Sequence, residues 1–252
     1  MAIHAHSTLR RTCLTLATIT ATLAVLVGAN SSAVPAESGT ATPQVAEIAP
    51  EHRNDTMLVI GDSYSSYYGD RSTRYPGWWA VLAADLGLDP VLHAEPGTGF
   101  LARNSLCTGT RYADRLATVR RHDPRLLFIE GGRNDWRRCT PDGRVVESTR
   151  TEIVAALEDY FSRLGRTWDR LGRDRADVYV LSPWGRSRGD KARVIRPLIR
   201  RTALEHGFSW VPTRRLTWEL APDGIHPQND GSRFLRDEVL RNSDLAYRFG
   251  HP

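Results

Sequence analysis

Five short apolar runs alternate with longer amphipathic segments between residues 56 and 242, and this alternation limits the fold more than any other feature. The apolar runs predict strands at 56–61, 90–94, 125–131, 177–183 and 208–212. The segments after them predict helices at 76–87, 112–122, 148–168, 191–207 and 231–242. Pro197 is expected to kink the fourth helix or divide it into two. Alternating strands and helices predict an α/β fold, in which helices cover both faces of a five-stranded parallel sheet to give three layers.

The N-terminal segment, residues 1–36, is typical of an export signal. Arg10 and Arg11 supply a basic start, residues 13–27 an apolar stretch, and residues 34–36 small side chains at a cleavage point. The apolar stretch is shorter than the ~20 residues that span a bilayer, so we expect cleavage, with retention as an anchor as the alternative. The mature chain is then expected to be secreted and to have no membrane span.

Residues 37–53 have no sustained apolar period and are rich in Ala, Pro, Thr and Glu. Such a composition predicts a disordered linker. The folded domain is therefore expected to comprise residues 54–252.

The charge distribution gives little support for a nucleic-acid partner. The chain carries 34 Lys and Arg against 29 Asp and Glu, and the arginines are scattered among the acids. Nucleic-acid-binding domains typically concentrate basic residues on one face. We expect no nucleic-acid partner, and a monomer that acts on a small-molecule or glycan ester.

Export determines how the cysteines are interpreted. Once residues 1–36 are removed, Cys107 and Cys139 are the only cysteines in the sequence. An oxidising compartment favours a disulfide between them, which would close a loop of 32 residues. The alternative is two free, buried thiols.

Three of the predicted strands run into unusual polar or glycine-rich sequences. These are "GDS" at 61–63, "PGTG" at 96–99 and "GRND" at 132–135. Ligands of parallel α/β sheets bind at the carboxyl ends of the strands, where the winding direction reverses. In the strand order 2-1-3-4-5 these three strands are neighbours, so their loops would converge on one place.

Ser63 in the first of these loops is a candidate nucleophile. A serine hydroxyl needs a base to remove its proton and a third group to orient that base. The sequence "DGIHP" supplies both, because Asp223 can reach Nδ1 of His226 and leave Nε2 facing the serine. Since the pair follows the fifth strand at the sheet edge, the loop 213–222 must carry it back over the sheet. The alternative for Ser63 is a turn or N-cap serine.

Three groups are candidate donors to the oxyanion of a tetrahedral intermediate. They are the backbone N–H groups of Ser63 and Gly97 and the side-chain amide of Asn134. Gly99 is an alternative to Gly97, which lies nearer the strand end. Asp135 is interpreted as a structural hydrogen-bond acceptor and Asp62 as a brace for the loop.

Taken together, four short blocks resemble the SGNH (GDSL-type) hydrolase family. They are Ser63 in "GDS", Gly97 in "PGTG", Asn134 in "GRND" and the Asp223/His226 pair in "DGIH", in the family's order. The resemblance implies the flavodoxin-like SGNH hydrolase fold and ester hydrolysis through an acyl-enzyme. It implies Ser63 as nucleophile, His226 as base and Asp223 as its orienting group, with Gly97 and Asn134 in the oxyanion hole. It implies no metal and no organic cofactor.

Aromatic residues near these blocks are candidates for substrate binding. Tyr64, Trp136, Trp184 and Trp218 are expected to line the cleft, with core packing as the alternative for each tryptophan. Trp78 and Trp79 are adjacent on a predicted helix, so we expect that they do not both face the core.

Four arginines also follow the third and fourth strands. Arg133, Arg137, Arg186 and Arg188 are expected to form a solvated rim, and the alternative is that they favour an anionic substrate.

The predicted function is an exported serine esterase that acts on an acylated carbohydrate or a lipid-like ester. One alternative is an acyltransferase, which would use the same residues to pass the acyl group to a sugar hydroxyl. The other is a carbohydrate-binding protein that uses none of them for catalysis. The α/β-hydrolase elbow G-x-S-x-G is absent, because position 65 is Ser. A metal-dependent phosphoesterase using Asp62, Asn134 and His226 lacks a second ligand-spaced His or carboxylate pair.

Overall fold

The computed structural model describes residues 54–66, 77–185 and 190–250, and within them five strands form one parallel sheet. The sheet comprises β1 (Thr56–Gly61), β2 (Asp89–Ala94), β3 (Leu126–Glu130), β6 (Val178–Leu181) and β7 (Ser209–Val211), and the strands β4 (Arg137–Cys139) and β5 (Val145–Glu147) form a separate hairpin. The sheet has the order β2-β1-β3-β6-β7, and each neighbouring pair is parallel. This order confirms the predicted flavodoxin-like arrangement and makes β1, β2 and β3 neighbours.

Several predicted features lie outside the described residues. They are the export signal at 1–36, the linker at 37–53, Arg186 and Arg188. In the part of the chain that the structure describes, no helix has the length and apolar character needed to cross a membrane.

Helices cover the sheet on both faces. They are α1 (Trp78–Leu86), α2 (Leu116–His122), α3 (Arg150–Arg170), α4 (Asp190–Glu205), α5 (Asn229–Arg241) and α6 (Leu245–Arg248), with a 3₁₀ turn at Tyr112–Arg115 before α2. Side chains of a strand alternate between the two faces. Leu58 and Ile60 of β1 therefore pack with α2, α3 and α4, whereas Met57 and Val59 pack with α1, α5 and α6. Burial on both faces explains why the central strands are almost entirely apolar.

Pro197 lies inside α4, which is one helix, so of the two predicted outcomes the division into two shorter helices is wrong. A proline in a helix interior removes one backbone hydrogen bond and costs about 3 kcal/mol. Ile195, Leu198 and Ile199 flank it and are almost completely buried. Burial of each such side chain contributes about 1.5–3 kcal/mol, so together they outweigh the proline.

The antiparallel hairpin β4–β5 was not predicted from the sequence. Each strand has three residues, which is too short for an alternating pattern to be visible. The turn between them, at Pro141, Asp142 and Gly143, carries a recognisable turn sequence, and Gly143 has a positive φ of 81°. The hairpin lies directly after the "GRND" block and so extends that side of the site.

Candidate active site

The loops after β1, β2 and β3 surround one cleft, as the strand order predicts. Ser63, Gly97 and Asn134 from these loops line the cleft together with His226 from the C-terminal loop. Its volume is about 390 Å³, which lies at the small end of the ~300–1,000 Å³ usual for ligand pockets. The cleft therefore suits a small group at Ser63.

Ser63, His226 and Asp223 form a continuous hydrogen-bonded chain. Nε2 of His226 lies 3.0 Å from Oγ of Ser63, and Nδ1 lies 2.6 Å from Oδ2 of Asp223. Burial opposes ionisation of Asp223, but hydrogen bonds from the His226 ring and from the backbone N–H groups of His226 and Ile225 outweigh it and lower its pKa. Because an ionised Asp223 accepts the Nδ1 proton, Nε2 is left as the acceptor for the Ser63 hydroxyl.

The loop 213–222 carries this pair back from the edge strand β7, as the sequence required. The backbone N–H of Leu216 donates to the carbonyl of Trp184 after β6 at 3.1 Å. Leu216 and Ala221 are fully buried in the core beneath α1 and α5. These anchors bring His226 across the carboxyl ends of β6 and β3 to reach Ser63 after β1.

The loop that carries Ser63 is held from below by buried polar groups. Ser65 Oγ donates to Oε2 of Glu130, at the end of β3, over 2.7 Å. Trp78 donates its ring N–H to Ser65 Oγ, and Trp79 donates its ring N–H to the Ser65 carbonyl. Both tryptophans are buried, so the expectation that one would face away from the core is wrong. The Ser65 carbonyl accepts the ring N–H of Trp79, so the one polar atom of this side chain has a partner in the core.

Asn134 is oriented by two acceptors. Its Nδ2 donates to Oδ2 of Asp62 at 3.0 Å and to the carbonyl of Thr98 at 2.9 Å. Asp62 is completely buried, and its Oδ1 accepts the backbone N–H of Tyr64 at 2.9 Å. One carboxylate therefore braces the loop after β1 and also positions the amide after β3.

The two candidate glycines have different surroundings. Gly97 lines the cleft with a positive φ of 74°. Gly99 donates its backbone N–H to the carbonyl of Ala102, and a Cβ at this position would lie 2.4 Å from Oδ1 of Asp135. Asp135 accepts the backbone N–H groups of residues 100–102 and so shapes this loop, as expected of a structural acceptor. Gly99 is thus built into the loop, whereas Gly97 faces the cleft.

Arg115 supports the site, and sequence reasoning did not identify it. Its side chain is fully buried and donates to the backbone carbonyls of Gly61 (2.8 Å), His93 (3.3 Å) and Thr110 (2.7 Å) and to Oγ1 of Thr98 (2.6 Å). It therefore joins the ends of β1 and β2 to the loop that connects β2 to α2. Nothing in the sequence distinguishes it from the other arginines.

Three buried carboxyl groups lie under the cleft. Burial raises the pKa of Asp62 to about 7, against the hydrogen bond from Tyr64. Burial raises the pKa of Asp135 to about 6, against its three backbone hydrogen bonds. Burial, reinforced by the nearby charge of Asp62, raises the pKa of Glu130 well above its ordinary value. Burial therefore favours the protonated form of all three carboxyl groups more than it is favoured in a free carboxyl.

The four predicted aromatic residues occupy different positions. Trp136 lines the cleft, and Trp218 is half-exposed on the loop before Asp223. Tyr64 and Trp184 are instead buried. The Tyr64 hydroxyl accepts a hydrogen bond from Arg133 at 2.8 Å, and the Trp184 ring N–H donates to Ser182. Both therefore lie beneath the cleft wall.

Cys107 and Cys139 form a disulfide, so the prediction of a bridge is confirmed and the alternative of free thiols is wrong. Cys107 lies in the loop that brings Asn104 and Ser105 to the cleft, and Cys139 ends β4. The bridge therefore connects two walls of the cleft that come from different parts of the chain.

Comparisons with known proteins define the class of this chain. The model of the GDSL-like lipase/acylhydrolase family matches residues 59–234. The chain therefore belongs to this family and is a carboxylic ester hydrolase. Members of the family act on small-molecule ester substrates. No curated protein matches it in sequence.

Solved structures confirm the fold. TesA has a TM-score of 0.50 and 20% identity, and the match covers 77% of this chain and 99% of TesA. Est24, a carbohydrate acetylesterase from Sinorhizobium meliloti, has a TM-score of 0.51 and 15% identity over 74% of this chain and 98% of its own. Est2A, an acetyl xylan esterase from Butyrivibrio proteoclasticus, has a TM-score of 0.52 and 15% identity, and the match covers 78% of this chain and 65% of Est2A.

Proposed function

We propose that the protein hydrolyses acyl esters through a covalent intermediate on Ser63. The observation that carries this proposal is the unbroken path from Ser63 Oγ to His226 Nε2, at 3.0 Å, and from His226 Nδ1 to Asp223 Oδ2, at 2.6 Å. Nucleophile, base and orienting group within hydrogen-bond reach are the geometric signature of an activated serine.

In the proposed reaction His226 takes the Ser63 proton while Oγ attacks the ester carbonyl carbon. The tetrahedral intermediate collapses, His226 returns the proton to the alcohol oxygen, and the acyl group remains on Ser63. His226 then deprotonates a water molecule, which attacks the acyl carbon, and His226 gives this proton to Ser63 Oγ as the acid is released. Asp223 holds the ring in the required tautomer and stabilises its charged form.

The oxyanion is proposed to be bound by the backbone N–H groups of Ser63 and Gly97 and by Nδ2 of Asn134. Gly97 is supported over Gly99 because the Gly99 N–H already donates to Ala102. Nδ2 of Asn134 already donates to Asp62 and Thr98, so it must share one of its hydrogens with the oxyanion. Each such donor is worth about 2.7–4 kcal/mol in the transition state.

The proposed substrates are short acyl esters of carbohydrates. The small cleft favours a short acyl group over a long lipid chain, and Trp136 offers a ring for a sugar to stack on. Two proteins of the same fold, Est24 and Est2A, are a carbohydrate acetylesterase and an acetyl xylan esterase.

The experiment compares wild type, Ser63→Ala and His226→Ala on p-nitrophenyl acetate, a long-chain p-nitrophenyl ester and acetylated xylan. A matched control is Ser66→Ala, which removes another hydroxyl from the same loop. We expect turnover by wild type and the control, none above background by the two variants, and a fluorophosphonate label on Ser63. Full activity of Ser63→Ala would disprove the mechanism.

Two alternative functions give different results in the same experiment. An acyltransferase forms acylated sugar when an acceptor is added, with product formation dependent on that acceptor. A noncatalytic carbohydrate-binding protein binds glycan equally well with Ser63→Ala and turns over nothing.

We also propose that the chain is exported and that its signal is cleaved after residue 36. The basic and apolar pattern of residues 1–36 supports this, as does the disulfide, because disulfides persist in oxidising compartments. The mass of the protein recovered from outside the cytoplasm tests it: a full-length mass would contradict cleavage.

A further inference from the structure

Two arginines line the same cleft as Ser63 and His226. Arg133 directly precedes Asn134, and Arg137 is the first residue of β4. Among the described residues that line the cleft there is no Asp or Glu. The charged side chains on this wall are therefore all positive, and such a wall raises the local concentration of anions.

Asp62 acts electrostatically on Arg133 from beneath the cleft, but the raised pKa of Asp62 weakens this negative charge. Neither Arg133 nor Arg137 forms a salt bridge with any residue that the structure describes, although most arginines elsewhere in the fold do. Arg133 donates to the hydroxyl of Tyr64, and burial raises the pKa of that phenol, so it stays neutral. The positive charge of Arg133 thus remains available to the cleft.

Arg137 is held against the wall rather than extended into solvent. Its guanidinium lies 5.2 Å from the centre of the Trp136 ring, and its Nε is buried without a hydrogen-bond partner among the described residues. The ammonium of Lys191 contacts the same ring at 3.2 Å. Two cations therefore flank the one tryptophan that lines the cleft in the described part of the chain.

We propose that the cleft selects esters that carry a carboxylate, and that Arg137 binds this carboxylate. This takes up the alternative to a solvated rim for Arg133 and Arg137, and it rests on the proposed role of Ser63 as nucleophile. A planar guanidinium matches a carboxylate through two parallel hydrogen bonds, which a neutral substrate cannot accept in the same way. The carboxylate belongs either to the alcohol, as in an acylated acidic sugar, or to the acyl group, as in the half-ester of a dicarboxylic acid.

Two pairs of substrates, each differing in charge at one position, distinguish these sources. The alcohol pair is 4-acetoxybenzoate and 4-acetoxybenzamide, and the acyl pair is mono-4-nitrophenyl adipate and the 4-nitrophenyl ester of adipamic acid. The measured quantity is the ratio of kcat/KM for the charged ester to kcat/KM for the neutral ester, compared between enzymes. Comparing ratios cancels the intrinsic reactivity of each ester.

Arg137→Gln is expected to lower this ratio about tenfold or more in one of the two pairs, because a hydrogen bond to a charged group is lost. Arg137→Lys, which keeps the charge without the planar group, should give an intermediate ratio. The matched control is Arg144→Gln. Arg144 is exposed in the turn of the same hairpin, and its substitution removes the same unit of charge. Added salt should lower the ratio of wild type more than that of Arg137→Gln.

A ratio that Arg137→Gln leaves unchanged in both pairs overturns the inference. An equal loss of activity on charged and neutral esters also overturns it, since that would indicate a structural role for Arg137. In both cases wild type still hydrolyses the neutral esters and Ser63→Ala does not, so the proposed function stands. If wild type hydrolyses none of the four esters, or Ser63→Ala hydrolyses them equally, the proposed function and this inference both fail.

Discussion

Asp62 and Asn134 are 72 residues apart in the chain, and a hydrogen bond of 3.0 Å joins Oδ2 of one to Nδ2 of the other. Asp62 has no exposed surface and also accepts the backbone N–H of Tyr64. The direction in which the Asn134 amide points is thus set by a carboxylate that substrate does not reach. We propose that Asp62 is a positioning residue whose effect on the reaction passes through Asn134.

Asp62→Asn tests this relationship. The new amide can still accept from Tyr64 but places an N–H₂ group against Nδ2 of Asn134, so the two donors repel and Asn134 turns. We expect kcat/KM for p-nitrophenyl acetate to fall about 10²-fold, as when an oxyanion donor is lost. Asn134→Ala with and without Asp62→Asn completes a double-mutant cycle. If the two losses multiply, Asp62 does not act through Asn134.

Asp223→Asn should disrupt the orientation of His226, because an asparagine amide does not favour the Nδ1–H tautomer. A loss of about 10⁴-fold in kcat is known where the carboxylate is buried, and we expect a smaller loss of at least about 10²-fold because the Asp223 side chain is half-exposed. Glu219→Gln, an exposed acid in the same loop, is the matched control. Steady-state kinetics on p-nitrophenyl acetate provides the measurement, and equal kcat values for the two variants would contradict the role of Asp223.

Glu130→Gln should change how stability depends on pH. Burial and the neighbouring charge of Asp62 raise the pKa of Glu130 above its ordinary 4.5, so the folded protein keeps a proton that the unfolded chain releases. The free energy of unfolding of wild type therefore falls as pH rises above 4.5 through the raised pKa. Glutamine imitates the protonated acid and removes this contribution.

Urea unfolding of wild type and Glu130→Gln at about pH 5 and about pH 8 measures the effect. The variant should gain stability relative to wild type at the higher pH. Two parallel pH profiles would show that Glu130 does not hold a proton in the folded state.

Replacement of both Cys107 and Cys139 by serine should lower the free energy of unfolding by about 3 to 4 kcal/mol, as expected for a bridge that closes a loop of this length. It should also lower activity, because the bridge connects the Asn104 side of the cleft to β4. Denaturation with and without reductant is the measurement. A reductant that weakens wild type but not the double variant assigns the loss to the bridge, whereas an unchanged wild type refutes the prediction.

The sequence was most informative for the interior of the sheet. β1, β3 and β6 are buried on both faces, which requires uninterrupted apolar runs, and such runs predict strands to within one or two residues. The short hairpin β4–β5 buries little and left no comparable pattern.

The candidate site was predictable where its chemistry needs particular residue types in a fixed order. Ser63, Asn134 and His226 belong to this group. Their supporting residues were not predictable, because Glu130 acquires its role from Ser65 across 65 residues and Arg115 from Gly61 across 54. The residues next to a single charged side chain, in an apolar run or a basic helix, do not indicate a hydrogen-bond partner that is distant in the sequence.

The buried guanidinium of Arg115 has a consequence for how this protein can change. It fastens the ends of β1 and β2 to each other from inside the fold, through backbone carbonyls that every residue type possesses. The outer parts of the surrounding loops, including the exposed Ser105 and Leu106, are not among the partners to which Arg115 donates hydrogen bonds. Substitutions of these two exposed residues are therefore expected to alter which ester is accepted while Arg115 keeps the end of β1, next to Ser63, in place, so that specificity can evolve separately from catalysis.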